Sequence, residues 1–212
     1  MKTGTSPSEK ISGASSYKSI QQRIVEMKTA TANAQLPPVI DHLLTVGYSE
    51  ESLKTLHNDV LEVENLDLKQ QKEYREQYVE TSKFEAKRSE IKEFYLKNTG
   101  LCRILFRNDI NAQIKLDLTG RQKEAYAPWL KDVKSFYSQL LNSPELIAES
   151  ATIGITKAII DERNAEIAEL ESLKDSQKKE TAEAQVATDE RDNAFDRVHS
   201  QYYDMLAYAK LL

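Results

Sequence analysis

Pro37-Pro38-Val39-Ile40 leads into Thr45-Val46-Gly47-Tyr48-Ser49, and Pro144-Glu145-Leu146-Ile147 leads into Thr152-Ile153-Gly154-Ile155-Thr156. The second stretch lies 107 residues after the first (Gly47 to Gly154), and each precedes a helix-like run of more than fifty residues. Proline breaks a preceding helix because it lacks the backbone donor, and glycine is the usual residue just past a helix end. At the same shift Val60 meets Ile167, Val63 meets Leu170, Leu66 meets Leu173, Val79 meets Val186, Tyr95 meets Tyr202 and Leu105 meets Leu212. Similarity at one gapless shift is the mark of internal duplication. The expectation is an all-α, elongated antiparallel helical bundle or coiled coil with two pseudo-symmetric halves. A flexible tail at 1–15 precedes a single helical domain at 16–212, made of repeats at about 16–112 and 118–212.

Between these anchors the helices follow from periodicity. A first helix is expected from about Ser16 to Ala34, with Ile20, Ile24 and Met27 on one face. A short one follows at Pro38 to Thr45, with Ser49 capping the next and Glu50 and Glu51 in its first turn. A 3-4 spacing then runs through Leu53, Leu56, Val60 and Val63, fades over Asp67, Gln70, Tyr74 and Gln77, and returns at Phe84, Ile91, Tyr95 and Cys102. The later copy weakens likewise over Lys174, Gln177 and Thr181 before Phe195, Val198, Tyr202 and Met205. No Gly or Pro falls between Gly47 and Gly100 or after Gly154, which favours unbroken helices over a hidden turn near Asp67 and near Lys174. An unbroken run over 156–212 would span about 85 Å. Its polar middle would be solvated or pack through Ala182, Ala184 and Val186. The first long helix runs on to about Asn108, 108–119 is irregular or weakly helical, and Leu118-Thr119-Gly120 is a break.

Tyr126, Trp129, Leu130, Val133, Phe136, Tyr137, Leu140 and Leu141 then form the most aromatic apolar face of the chain, with Pro128 early in its helix. Tyr126, Trp129, Phe136 and Tyr137 are the candidate interaction or core cluster. Without a Gly-rich loop beside them, a core reading outweighs a cofactor slot, and no cofactor is expected.

Composition narrows the function classes. The chain has 212 residues, 6 Gly, 5 Pro, 30% charged residues and a net charge of -5, which suits long helices and gives no broad basic footprint for nucleic acid. A local basic group, Lys97, Arg103, Arg107, Lys115, Arg121 and Lys123, is the exception. The single cysteine, Cys102, excludes an intramolecular disulfide and reads as a buried apolar residue. The N-terminus lacks an apolar signal core and no stretch approaches a membrane span, so a cytoplasmic location is the default expectation.

Asp196 and His199, three apart on a helix, are the nearest approach to a metal pair. A ferritin-like centre needs a second such pair and two further glutamates, but the other copy offers Ser89 and Lys92. No metal site or catalytic residue is nominated, and the balance is against an enzyme. Asp41 beside His42 points about 100° away from it on a helix. Gly100 to Phe106 could touch a membrane, although Arg103 interrupts it. The favoured reading is a structural or protein–protein interaction module with a protein partner or self-association. A metal-binding bundle or enzyme and a membrane-active helical protein are the alternatives.

Leu118-Thr119-Gly120-Arg121-Gln122-Lys123, Trp129-Leu130, Phe136-Tyr137 and Gly154-Ile155-Thr156 together resemble the pattern of a group of uncharacterised bacterial all-helical proteins. Gln122 stands where that pattern has an arginine. The resemblance spans about 115–212 and implies a helical fold; it carries no catalytic role.

Overall fold

The computed structural model describes residues 18–211, which form seven helices. They are α1 (Ile20–Asn33), α2 (Val39–Thr45), α3 (Glu50–Leu105), α4 (Ile110–Lys115), α5 (Tyr126–Leu141), α6 (Pro144–Ala151) and α7 (Lys157–Ala209). The tail at 1–15, the expected helix start at Ser16 and the closing Leu212 of the apolar stripe lie outside the described residues. The fold is an all-helical bundle. The chain divides into two compact units, 1–70 with 187–212 and 71–186, so α3 and α7 each contribute to both.

Helix ends follow local chemistry. α1 begins at Ile20, where Ser19 and Gln22 form a reciprocal capping box: the Ser19 hydroxyl accepts from the Gln22 N–H, and the Gln22 side chain accepts from the Ser19 N–H. Ser49 caps α3 in the same way, with Ser52 as its partner at 3.0 and 2.9 Å. Gly47 and Gly154 adopt φ of 98° and 85° ahead of the long helices. Beyond each, an N–H returns five residues to a carbonyl, Tyr48 to Leu43 and Ile155 to Ser150, which closes the preceding short helix with a left-handed cap.

The long helices are unbroken from Glu50 to Leu105 and from Lys157 to Ala209, so neither hidden turn is present. α3 stops at Leu105 instead of reaching Asn108, and six residues of the stretch expected to be irregular or weakly helical form α4. The Asp109 carboxylate initiates it by accepting from the N–H groups of Asn111 and Ala112. Asp117 closes it in the left-handed region at φ 50°. Pro128 sits at the third position of α5, where a missing N–H costs no helical hydrogen bond. The polar middles follow expectation only in part. Ala184 is buried as expected, and Asp67, Gln70 and Ala187 are buried as well, whereas Ala182 is exposed and Val186 is 54% exposed.

In the first unit α1 lies antiparallel to the start of α3, through Gln21 to Asp67, Lys28 to Glu64 and Thr31 to His57. The end of α7 is antiparallel to α3, through Lys69 to Glu190 and Arg197 to Glu62. Ile24, Met27, Leu43, Leu53, Val60, Val63, Phe195, Val198 and Met205 fill this core.

In the second unit α5 lies antiparallel to the start of α7, through Lys134 to Glu171 and Lys174 over the Tyr126 ring. The end of α3 pairs antiparallel with α7 through Thr81 to Gln177 and Lys87 to Glu169. The core holds Phe84, Ile91, Cys102, Phe106, Trp129, Val133, Phe136, Tyr137, Leu140, Ile160, Ile167 and Leu170.

Candidate functional site

α5 carries the aromatic cluster into the core of the second unit because its apolar positions recur every three or four residues along one face. Trp129, Phe136 and Tyr137 are buried, and Tyr126 is partly so. Phe84 meets Tyr126 edge-on at 5.3 Å, Tyr95 meets Phe136 at 5.7 Å and Phe136 meets Tyr137 at 5.0 Å. Cations cover the outer end: Lys174 Nζ lies 4.6 Å from the Phe84 ring centre, and the Arg88 guanidinium lies 5.6 Å from the Trp129 ring. Arg88 also donates to the Glu124 carbonyl at 2.8 Å. The Trp129 Nε1 and Gln122 Nε2 groups are buried without a hydrogen-bond acceptor. Gln122 borders a cavity of about 20 Å³ shared with Tyr95, Thr99, Arg103, Asp117 and Asp132.

Proton affinities in this unit move away from neutral pH. Burial pushes the Tyr95 phenol up to about 12, with the Asp132 and Asp117 charges adding to it. Burial likewise raises Tyr137, against the hydrogen bond from Asn98. It also pushes the Cys102 thiol up to about 11. A nucleophile or general base needs the opposite adjustment, toward the working pH.

The other sequence candidates fall in separate places. His199, on α7 in the first unit, stacks on Phe195 at 5.0 Å and meets Tyr203 edge-on at 4.5 Å. Burial and the Arg23 charge lower its pKa, while Asp196 opposes them. His57 shares a hydrogen bond of 2.9 Å with Thr31, and His42 Nε2 lies 3.3 Å from the Tyr208 carbonyl. Among the described residues, the carboxylates that converge within metal-ligand reach are Glu73, Glu76 and Glu180, not Asp196 and His199. Lys72 and Lys179 already pair with members of that trio.

A groove of about 570 Å³ in the first unit escaped sequence reading. Its wall joins Tyr48, Glu51, Thr55 and Asp59 to Gln201 and Asp204. The signal is weak in sequence because polar residues on a charged helix look alike until the fold brings distant segments together.

Comparison with known proteins finds no match: no family model, no curated protein and no solved structure matches the chain.

Proposed function

We propose that this chain is a structural or protein-interaction module built by duplication of one three-helix unit. The observation that carries the reading is a repeated ion pair. Lys28 on α1 meets Glu64 on α3 at 2.7 Å, and Lys134 on α5 meets Glu171 on α7 at 2.8 Å. Glu171 follows Glu64 by the 107-residue shift, and Lys134 follows Lys28 by one residue fewer. That one-residue difference explains why the early helices do not align in sequence at the common shift. With it, buried Ile24, Met27, Thr31 and Ala34 correspond to buried Leu130, Val133, Tyr137 and Leu140. In the long helices Leu53, Val60, Val63 and Ile91 correspond to Ile160, Ile167, Leu170 and Val198, all buried.

One layer has diverged in chemistry while keeping its place. Asp67 and Arg191 are ion-paired in the first unit, and their counterparts Lys174 and Phe84 make a cation–π contact in the second. Each unit therefore combines the beginning of one repeat with the long-helix end of the other. Such an exchange turns most of both long helices into core and ion-paired surface, which suits a spacer or scaffold.

Small-angle scattering with mass from forward scattering tests the spacer role. A maximum dimension of about 80 Å or more at monomer mass is expected, since 56 helical residues span about 84 Å. A compact particle overturns it. Metal analysis of the purified chain addresses the metal-binding alternative. Stoichiometric metal that is lost in His199→Ala would replace the structural reading. A third test addresses duplication. Residues 18–115 alone leave the first core without the end of α7, so two copies should exchange α3 ends into a dimer. A folded monomer counts against the repeat.

A further inference from the structure

Leu96, Gly100 and Ile104 succeed one another at four-residue intervals along the last turns of α3, and Ile110 and Ile114 do so on α4. Successive residues at that spacing share a helix face. Ile104, Ile110 and Ile114 are 69%, 60% and 67% exposed. A side-chain carbon placed on Gly100 would meet nothing within 4 Å, so the α3 part of this face is open. The same elements are anchored from behind. Cys102, Phe106, Ala112 and Leu116 are core residues, and the Gln113 side chain donates to the Phe106 and Arg107 carbonyls at 2.9 and 3.0 Å. The isoleucines thus project from a corner that is fixed in place.

Charge identifies what such a corner can meet. Lys97, Arg103, Arg107, Lys115, Arg121 and Lys123 are all exposed, against two carboxylates, Asp109 and Asp117, in the same segment of a chain whose net charge is -5. Asp109 is engaged at the start of α4. The Arg103 Nε donates to the Leu118 carbonyl at 2.8 Å, which holds that side chain along the corner. Among the described residues outside this segment carboxylates outnumber lysines and arginines, so of those residues the corner is the part suited to approach an anionic surface.

We propose that the α3–α4 corner attaches the protein peripherally to an anionic lipid surface, with Ile104, Ile110 and Ile114 entering the headgroup–acyl boundary and Arg107 and Lys115 meeting lipid phosphates. A bilayer accepts exposed branched side chains flanked by cationic ones without a groove to receive them, whereas a partner peptide would need a slot between helices. Apolar insertion and cationic attraction together are the chemistry of interfacial binding.

Flotation of the full chain with vesicles tests this, using phosphatidylcholine alone or mixed with phosphatidylglycerol, at low and at physiological salt. Binding only to the anionic vesicles, weakened by salt, is expected. Arg107→Gln and Lys115→Gln should each weaken it about fivefold. Ile110→Ser with Ile114→Ser should weaken it about tenfold or more while the helical circular dichroism stays unchanged. No binding to anionic vesicles at low salt overturns the proposal, as does binding indifferent to the isoleucine changes. Self-association without vesicles that the serine variant abolishes would assign the face to a second copy. Capture on soluble polyglutamate, lost in that variant, would assign it to an acidic protein. Either result overturns the lipid reading.

Discussion

The Nη1 of Arg191 lies 3.7 Å from the Oδ1 of Asp67, and both side chains are largely withdrawn from water. Gln21 donates to the same carboxylate at 3.3 Å, and Arg191 also pairs with Asp192 at 2.7 Å. Removing one partner leaves a buried carboxylate with less compensation. Arg191→Met should therefore cost about 3 kcal/mol, near the lower end for breaking a buried pair. Replacing both groups, Asp67→Leu with Arg191→Met, should recover most of that loss because neither charge then needs solvation. Chemical denaturation of the two single variants and the double variant checks the cycle. A double variant as unstable as the sum of the singles would deny the coupling.

Asn98 Nδ2 donates to the Tyr137 hydroxyl at 2.9 Å inside the second core. Tyr137→Phe removes the acceptor and leaves the amide donor buried, at an expected cost of about 1–3 kcal/mol. Asn98→Leu with Tyr137→Phe should be milder than the single change, since no polar group is left orphaned. Thermal unfolding of both variants, compared with wild type, reads the difference.

High pH should destabilise the protein through Tyr95. Its folded pKa of about 12 lies above the unfolded value near 10, so between those values the unfolded chain has released a proton that the folded chain still holds. The contribution to stability is complete below about pH 10 and is lost as pH rises toward 12. Denaturant midpoints measured across that window should fall with pH, and Tyr95→Phe should flatten the fall. An unchanged slope in Tyr95→Phe would assign the alkaline loss to other groups.

Much of the helix map was legible because its determinants are local. Prolines 37 and 144 and glycines 47 and 154 punctuate the chain, and the spacing of Leu53, Val60 and Val63 or of Ile160, Ile167 and Leu170 needs no partner to be read. The capping box at Ser19 and Gln22 was also available locally and would have moved the first helix start to Ile20. The polar middles were less legible. The apolar spacing fades at Asp67 and Gln70, and burial there was not readable because that of Asp67 depends on Gln21 and Arg191, both remote in sequence. The groove joining Asp59 to Asp204 has the same origin. The exposed isoleucines of the α3–α4 corner were hidden by periodicity itself, which distinguishes apolar residues from polar ones and not covered faces from open ones.

Glycine substitutions separate space from backbone conformation. A Cβ at Gly100 or at Gly47 meets nothing within 4 Å, so sterics predict the same outcome for both. Gly100 lies in the interior of α3, where alanine is favoured by about 1 kcal/mol through lower unfolded-state entropy and better helix propensity. Gly47 has φ 98°, a conformation an L side chain resists, so Gly47→Ala should cost about 1–2 kcal/mol. Melting temperatures that move in opposite directions are expected. A shared direction would mean that Gly47 can leave the left-handed region without disturbing the α2–α3 turn.

Cys102 supplies a probe of how the second core opens. It is fully buried on α3, and burial raises its thiol to about 11, so thiolate is scarce at neutral pH in the folded chain. Labelling by a thiol reagent should be slow under native conditions and fast in denaturant, with the native rate set by openings of the helix end that carries it. Trp129→Ala removes a buried side chain from the same core and should cost about 3–5 kcal/mol, speeding native labelling by two or more orders of magnitude if labelling follows global opening. Arg191→Met acts in the other unit. If the units open independently, that variant leaves the labelling rate of Cys102 unchanged. If α3 carries destabilisation from one unit to the other, labelling accelerates in proportion to the stability lost. The comparison therefore measures whether a helix that contributes to two cores couples their unfolding.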